Sequence, residues 1–135
     1  MKAVVCSHDE MKGEPKSIKA KFGQLVRSPM IRFPESGEKL DLPDLHGVYV
    51  IYSPKGRVAH VGRTVRGKRG LRQRINNHLH GASSFVIRAL GGRGAKLRDG
   101  YKYRYISIED SRLRALLEAY AVGQLCPDHL GDGAV

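Results

Sequence analysis

Two short apolar segments joined by a turn signal constrain this chain more than any other feature. Residues 48–52 and 57–61 are rich in β-branched and aromatic side chains, which favour strands. Between them, Ser53, Pro54 and Gly56 occupy the first, second and fourth positions of a type I turn, where each of these residue types is preferred. The sequence therefore predicts a β-hairpin.

A turn closed by Ser53 and Gly56 determines which residues of the hairpin face each other. In that register Tyr49 opposes His60. Directly opposed side chains share a face of the sheet, with Cβ atoms about 4.5–5.5 Å apart. We therefore expect a phenol and an imidazole to be neighbours.

The rest of the chain predicts helices and one further strand. Residues 71–79 carry apolar side chains at helical spacing, residues 83–90 favour a short helix, and residues 101–108 alternate as a strand. Ser111 is a candidate N-cap for a last helix that ends before Pro127. The expected fold is α+β: a small three-stranded, largely antiparallel sheet flanked by helices.

We divide the 135 residues into an N-terminal extension (1–46), a main domain (47–130) and a C-terminal tail (131–135). The extension contains four prolines and one candidate helix at residues 17–26. Its role stays open between a disordered arm, a cap on the sheet and a substrate-recognition element.

The net charge of +11 is concentrated in one part of the chain. Residues 57–104 contain thirteen Lys or Arg and a single acidic residue, Asp99. A one-sign stretch rich in arginine favours a groove that binds a polyanion such as DNA, although RNA and a merely solvated surface are alternatives.

Other features of the sequence narrow the expected setting. No apolar run reaches the roughly 18 residues of a membrane span, and no secretory signal is recognised. Cys6 and Cys126 have no metal-ligand spacing. We expect an intracellular, cytoplasmic protein without a membrane partner, and its oligomeric state stays open.

Four segments resemble, in order and approximate spacing, those of the GIY-YIG nuclease family. They are the triplet Gly47-Val48-Tyr49, "HVGRT", "LRQRINNHL" and "LRALLEAYAVGQLCP". The resemblance runs from about Gly47 to Pro127. Two positions depart from the family pattern. His60 stands in place of the usual tyrosine, and Leu130 replaces a closing asparagine, with His129 as the nearest polar residue.

The resemblance implies a site and a metal. Its catalytic residues would be Tyr49, His60, Arg74, His78 and Glu118. Glu118 would hold a single Mg²⁺, or Mn²⁺ in its place, and Arg63 and Arg72 are candidate phosphate-binding residues. The implied activity is hydrolysis of DNA phosphodiester bonds.

Two of these residues also stand out without the family. Glu118 lies on a helix that is apolar on nearly every face, so its carboxylate needs either a metal ion or an ion-pair partner such as Arg114. His60 has an ordinary pKa of about 6.5, which makes it a better proton acceptor at neutral pH than a phenol. Its structural alternative is packing within the hairpin.

These observations predict a divalent-metal-dependent DNA endonuclease in which Tyr49 or His60 accepts a proton from the attacking water. If His60 has this role, we expect it to titrate near pH 6–7. Two alternatives stay open: a non-catalytic nucleic-acid-binding module with the same fold, and a nuclease that acts on structured RNA.

Overall fold

In the computed structural model, which describes residues 2–130, helices cover both faces of a four-stranded antiparallel sheet. The elements follow one another as α1 (Lys2–Arg27), β1 (Ile31–Arg32), β2 (Gly47–Tyr52), β3 (Val58–Arg63), α2 (Gly70–Leu79), α3 (Ser84–Ala89), a 3₁₀ helix (Gly94–Arg98), β4 (Lys102–Ser107) and α4 (Ser111–Leu125). The predicted α+β class is confirmed. The predicted tail, residues 131–135, lies outside the described residues.

The predicted hairpin turn is confirmed, but the strands are shifted relative to the predicted register. The N–H of Gly56 donates to the carbonyl of Ser53 at 2.9 Å. Gly56 has a φ of 85°, so a left-handed glycine adds one residue to the loop. An irregularity between Ile51 and Tyr52 adds a second shift.

As a result Tyr49 pairs with Gly62, and the predicted pairing of Tyr49 with His60 is wrong. Because side chains alternate with a period of two, the total shift of two residues keeps His60 on the same face as Tyr49, whereas Val58, next to the turn, is shifted by one and joins Tyr52 on the other face. The ring centroids of Tyr49 and His60 are 6.0 Å apart, so the two residues are diagonal neighbours.

The sheet has four strands in the order β1-β4-β2-β3, whereas three were predicted. The additional strand β1 aligns Ile31 with Tyr103 of β4. With two residues it is too short to produce an alternating pattern in the sequence. Phe33, which follows β1, is 2% exposed, so the described part of residues 1–46 contributes to the core.

Alternation along β2 builds one core on each face of the sheet. Tyr49 and Ile51 face the layer that contains α2, α3 and the 3₁₀ helix, where Leu71, Ile75, Phe85, Leu97 and Tyr103 are buried. Val48 and Val50 face the layer that contains α1 and α4, where Leu25, Val61, Leu117 and Ala121 are buried. β2 is therefore the buried centre of the fold.

The helices after β3 agree with the sequence pattern except at one cap, but α1 is longer than expected: it runs from Lys2 to Arg27 and contains Pro15, whereas the helix was predicted at residues 17–26. Ser83, predicted as the first residue of a helix over 83–90, is instead the N-cap of α3, its hydroxyl accepting from the N–H of Val86. Asp110, and not Ser111, caps α4, because its carboxylate accepts from two backbone N–H groups of the first turn. Within residues 2–130 no helix combines the length and apolar character needed to cross a membrane.

Replacing Phe33 by alanine should lower the free energy of unfolding by about 3–5 kcal/mol, because it removes a buried ring and leaves a cavity. The Phe33 ring centroid lies 4.9 Å from that of Tyr103. Met30→Ala, three residues earlier, should cost less than about 0.5 kcal/mol because Met30 is exposed. Chemical denaturation of both variants measures this contrast. Equally small losses would show that the segment is not part of the core.

Candidate active site

A cleft of about 610 Å³ opens between β3 and α4, with α2 at one side. Four of the predicted site residues line it: His60, Arg63, Arg74 and Glu118. A second imidazole, His129, lies in the same lining. Small and aliphatic side chains form most of the remainder, namely Val61, Val65, Ala115, Ala119, Val122 and Leu130.

The carboxylate of Glu118 is held at the cleft wall by Arg63. Nη1 of Arg63 donates to Oε1 of Glu118 at 2.5 Å, and the Glu118 side chain is 24% exposed. Arg114, the alternative partner from the same helix, is buried, and its Nη1 donates to two backbone carbonyls at 3.0 Å each. Arg114, named as the alternative to a metal ion, is therefore not the partner of Glu118; the partner is Arg63, the residue that ends β3.

His60 is buried at the cleft. It is 5% exposed and stacks on Phe85, with 4.9 Å between ring centroids and 8° between ring planes. Both ring nitrogens are shielded from solvent and neither makes a well-aligned hydrogen bond among the described residues, although the His129 backbone lies close enough to favour the charged form. Burial, reinforced by repulsion from His129 and Arg74, lowers the pKa of His60 to about 3. The expected titration near pH 6–7 is wrong, and the imidazole is neutral at physiological pH.

Tyr49 lies behind the cleft and not in it. Its side chain is fully buried, and its ring lies over Gly62, where a Cβ atom would overlap the phenol. Nε of Arg74 donates to the Tyr49 hydroxyl at 3.2 Å, and Nε2 of His78 is 2.7 Å from that hydroxyl. Burial raises the pKa of Tyr49 to about 12 despite the nearby Arg74. Tyr49 is therefore a protonated phenol that supports two side chains of α2.

His78 links Tyr49 to a residue that the sequence did not single out for the site. The imidazole is fully buried, and its Nδ1 lies 2.6 Å from Oγ of Ser83. Burial lowers the pKa of His78 well below its ordinary value. In the sequence Ser83 only begins a predicted short helix, so nothing there indicates its contact with His78.

Arg72 does not reach the cleft. Its Nε donates to the carbonyl of Leu42 at 3.0 Å and lies 3.2 Å from a carboxylate oxygen of Asp44. Residues two apart on a helix do not share a face, so the side chains of Arg72 and Arg74 leave α2 in different directions.

A basic groove adjoins the cleft. It has a volume of about 250 Å³ and is lined by Arg63, Arg66 and Arg74, together with the polar side chains of Thr64, Gln73 and Asn77. Arg63 and Arg74 line both the cleft and the groove. The cleft and the groove therefore form one continuous surface that carries the guanidinium groups of Arg63, Arg66 and Arg74.

The chain beyond α4 returns to β3 and brings His129 to the cleft. The backbone N–H groups of Asp128 and His129 donate to carbonyls of β3 at 3.0 Å each, and Arg57 pairs with Asp128 at 2.6 Å. The ring centroid of His129 lies 5.3 Å from that of His60. The sequence identified His129 only as a polar neighbour of Leu130, because an ion pair between distant residues leaves no local pattern.

Glu118 is the one carboxylate that lines the described cleft. Among residues 2–130 no three His, Cys, Asp or Glu side chains form a metal-binding group. Mg²⁺ is usually held by one or two carboxylates together with water and substrate phosphate oxygens. The donor set therefore fits a hard divalent ion that is shared with a phosphate-containing substrate, and it does not fit an ion held by protein ligands alone.

Comparison with known proteins adds no assignment. No protein-family model matches the chain, and no curated protein matches it. The residues of the cleft therefore carry the functional assignment.

The low pKa of His60 predicts a pH dependence of stability. Between about pH 3 and 6.5 the unfolded chain binds a proton that the folded protein does not, so stability should fall as the pH falls through this window. In His60→Phe one titrating group is removed. The slope of the unfolding free energy against pH should therefore decrease by up to about 1.4 kcal/mol per pH unit, which corresponds to one bound proton. Denaturant titrations at several pH values measure it. An unchanged slope would contradict the buried, neutral state of His60.

Proposed function

We propose that the protein is a divalent-metal-dependent endonuclease of the GIY-YIG type that hydrolyses DNA phosphodiester bonds. The observation that carries the proposal is the convergence of a neutral imidazole, a carboxylate and two guanidinium groups in one cleft. They come from β3, α2 and α4, which are distant in the sequence. Phosphodiester hydrolysis requires a proton acceptor, stabilisation of charge on the phosphate and a place for a metal ion. The cleft offers a candidate for each.

The basic groove supports a nucleic-acid substrate. It extends the cleft with Arg63, Arg66 and Arg74, and the surrounding residues 57–104 contain thirteen basic residues and one acidic residue. Planar guanidinium groups bind phosphate oxygens in pairs, so a row of them suits a polyanion with regular phosphate spacing.

His60 is the better supported of the two candidate proton acceptors. It lines the cleft and is neutral, but its pKa of about 3 makes it a weak base in the substrate-free protein, well below the value near 6.5 that suits proton acceptance at neutral pH. Tyr49 is fully buried, and burial raises its pKa to about 12, which makes the phenolate rare at neutral pH. Its position in the cleft therefore favours His60 as the proton acceptor, provided that bound substrate and water raise its pKa, and Tyr49 supports Arg74.

In the proposed reaction a water attacks the phosphorus in line with the leaving oxygen and passes a proton to His60. Arg74, assisted by Arg63, neutralises charge that develops on the non-bridging oxygens. Glu118 would hold the ion, Mg²⁺ or Mn²⁺, which supplies charge stabilisation at the leaving oxygen when bound. A single carboxylate in the cleft supports one ion rather than two.

Glu118→Gln should lower DNA cleavage by about 10²-fold or more, because it removes the charge that would hold the ion while preserving the shape of the side chain. Nicking of supercoiled plasmid in Mg²⁺ and in EDTA measures this. Glu109→Gln, an exposed carboxylate preceding the same helix, is the matched control and should retain activity.

Full activity of Glu118→Gln, or of the native protein in EDTA, would contradict the metal role. DNA binding without any cleavage would support the non-catalytic binding module instead. Cleavage of structured RNA with intact plasmid would support an RNA nuclease.

Arg74 and Arg72 provide a matched pair on one helix. Arg74→Ala should lower the cleavage rate by about 10²–10³-fold, because it removes a positive charge from the position of the phosphate. Arg72→Ala should leave the rate within about threefold, because this side chain contacts Leu42 and Asp44 outside the cleft. Single-turnover cleavage of a labelled duplex compares the two. Equal losses in both variants would mean that general surface charge, and not the cleft, binds the phosphate.

A further inference from the structure

A chain of buried hydrogen bonds runs from α3 to the cleft. Ser83 Oγ accepts from the backbone N–H of Val86 at 3.2 Å and lies 2.6 Å from Nδ1 of His78. Nε2 of His78 lies 2.7 Å from the hydroxyl of Tyr49, which accepts from Nε of Arg74 at 3.2 Å. Ser83, His78 and Tyr49 are each at most 2% exposed, whereas Arg74 lines the cleft.

We infer the direction of this chain from the donor-only guanidinium of Arg74 and from the need to pair the buried phenolic proton of Tyr49. Arg74 carries only donors, so the Tyr49 oxygen must accept from it. The phenolic proton is buried and needs an acceptor of its own, which Nε2 of His78 provides. A neutral imidazole that accepts at Nε2 carries its proton on Nδ1, and this N–H donates to Ser83.

We propose that Ser83 is a positioning residue for Arg74, acting through the tautomer of His78 and the hydroxyl of Tyr49. By accepting from Nδ1, Ser83 keeps Nε2 free to bind the phenolic proton. The Tyr49 oxygen then presents a lone pair to Arg74 Nε, which leaves the terminal nitrogens of the guanidinium for the cleft. The target of those nitrogens, a phosphodiester, rests on the proposed function, whereas the hydrogen-bond chain does not.

Among the described residues, Tyr49 and Ser83 are the hydrogen-bond partners of the His78 ring. Apart from Tyr49 and Ser83, its ring faces Phe85 at 5.8 Å and His60 at 5.4 Å between centroids, and neither ring hydrogen-bonds to it. Ser83 is held in turn by its role as the N-cap of α3. The position of α3 therefore fixes Ser83, and Ser83 in turn orients His78 on α2.

The direct test is nitrogen NMR of the imidazoles and of the arginine Nε–H groups in the substrate-free protein. In the native chain His78 should be a single Nδ1–H tautomer, and the Nε–H of Arg74 should exchange slowly with solvent. Ser83→Ala leaves the Nδ1–H unpaired, so it should give a mixture of tautomers and faster exchange at Arg74. Ser83→Thr retains a hydroxyl and a helix cap, so it should restore both signatures. Ser28→Ala, which removes a serine hydroxyl bonded to the carbonyl of Leu25, is the control and should change neither.

Cleavage kinetics provide the second measurement. Ser83→Ala should lower kcat about tenfold with little change in KM, a loss equal to about one hydrogen bond. Ser83→Thr should recover most of kcat.

A native Nε2–H tautomer, or a Ser83→Ala variant with unchanged tautomer and unchanged exchange at Arg74, would overturn the positioning role even if the protein cleaves DNA. If the native protein cleaves no nucleic acid while the NMR signatures respond as expected, the proposed function fails and the role of Ser83 stands.

Discussion

The hydroxyl of Tyr49 is a polar group within an apolar layer, and the arrangement behind the cleft depends on how it is satisfied. It lies on β2, which is buried on both faces, so an unpaired hydroxyl there would cost free energy. Two side chains one turn apart on α2, Arg74 and His78, meet this need. Packing of the core and placement of a cationic group at the cleft are therefore set by the same contacts.

The apolar surroundings leave the histidines of the site uncharged and the arginines charged. Burial keeps the imidazoles of His60 and His78 neutral, and their ring centroids are only 5.4 Å apart, so a charge on one would oppose a charge on the other. Guanidinium groups stay charged in such surroundings. Positive charge at the cleft is thus supplied by Arg63 and Arg74, and a neutral lone pair by His60.

Local patterns in the sequence account for the hairpin, for α2 and for the helix that carries Glu118. They miss β1, which has two residues, and they misplace the register, because the left-handed conformation of Gly56 and the irregularity after Ile51 depend on backbone geometry. Within the site, Arg74 and Glu118 both line the cleft. The partner of Glu118 and the anchor of His129 come from pairs 55 and 71 residues apart, which no local pattern reports.

The return of the chain along β3 has a consequence for self-association. β3 is the outer strand of the sheet on its side, and an outer strand with free backbone groups is a template for pairing with another molecule. The N–H groups of Asp128 and His129 donate to two carbonyls of β3. The ion pair between Asp128 and Arg57 places charged side chains beside the same end of the strand. The residues that bring a second imidazole to the cleft therefore also cover part of the sheet edge at which another molecule could pair.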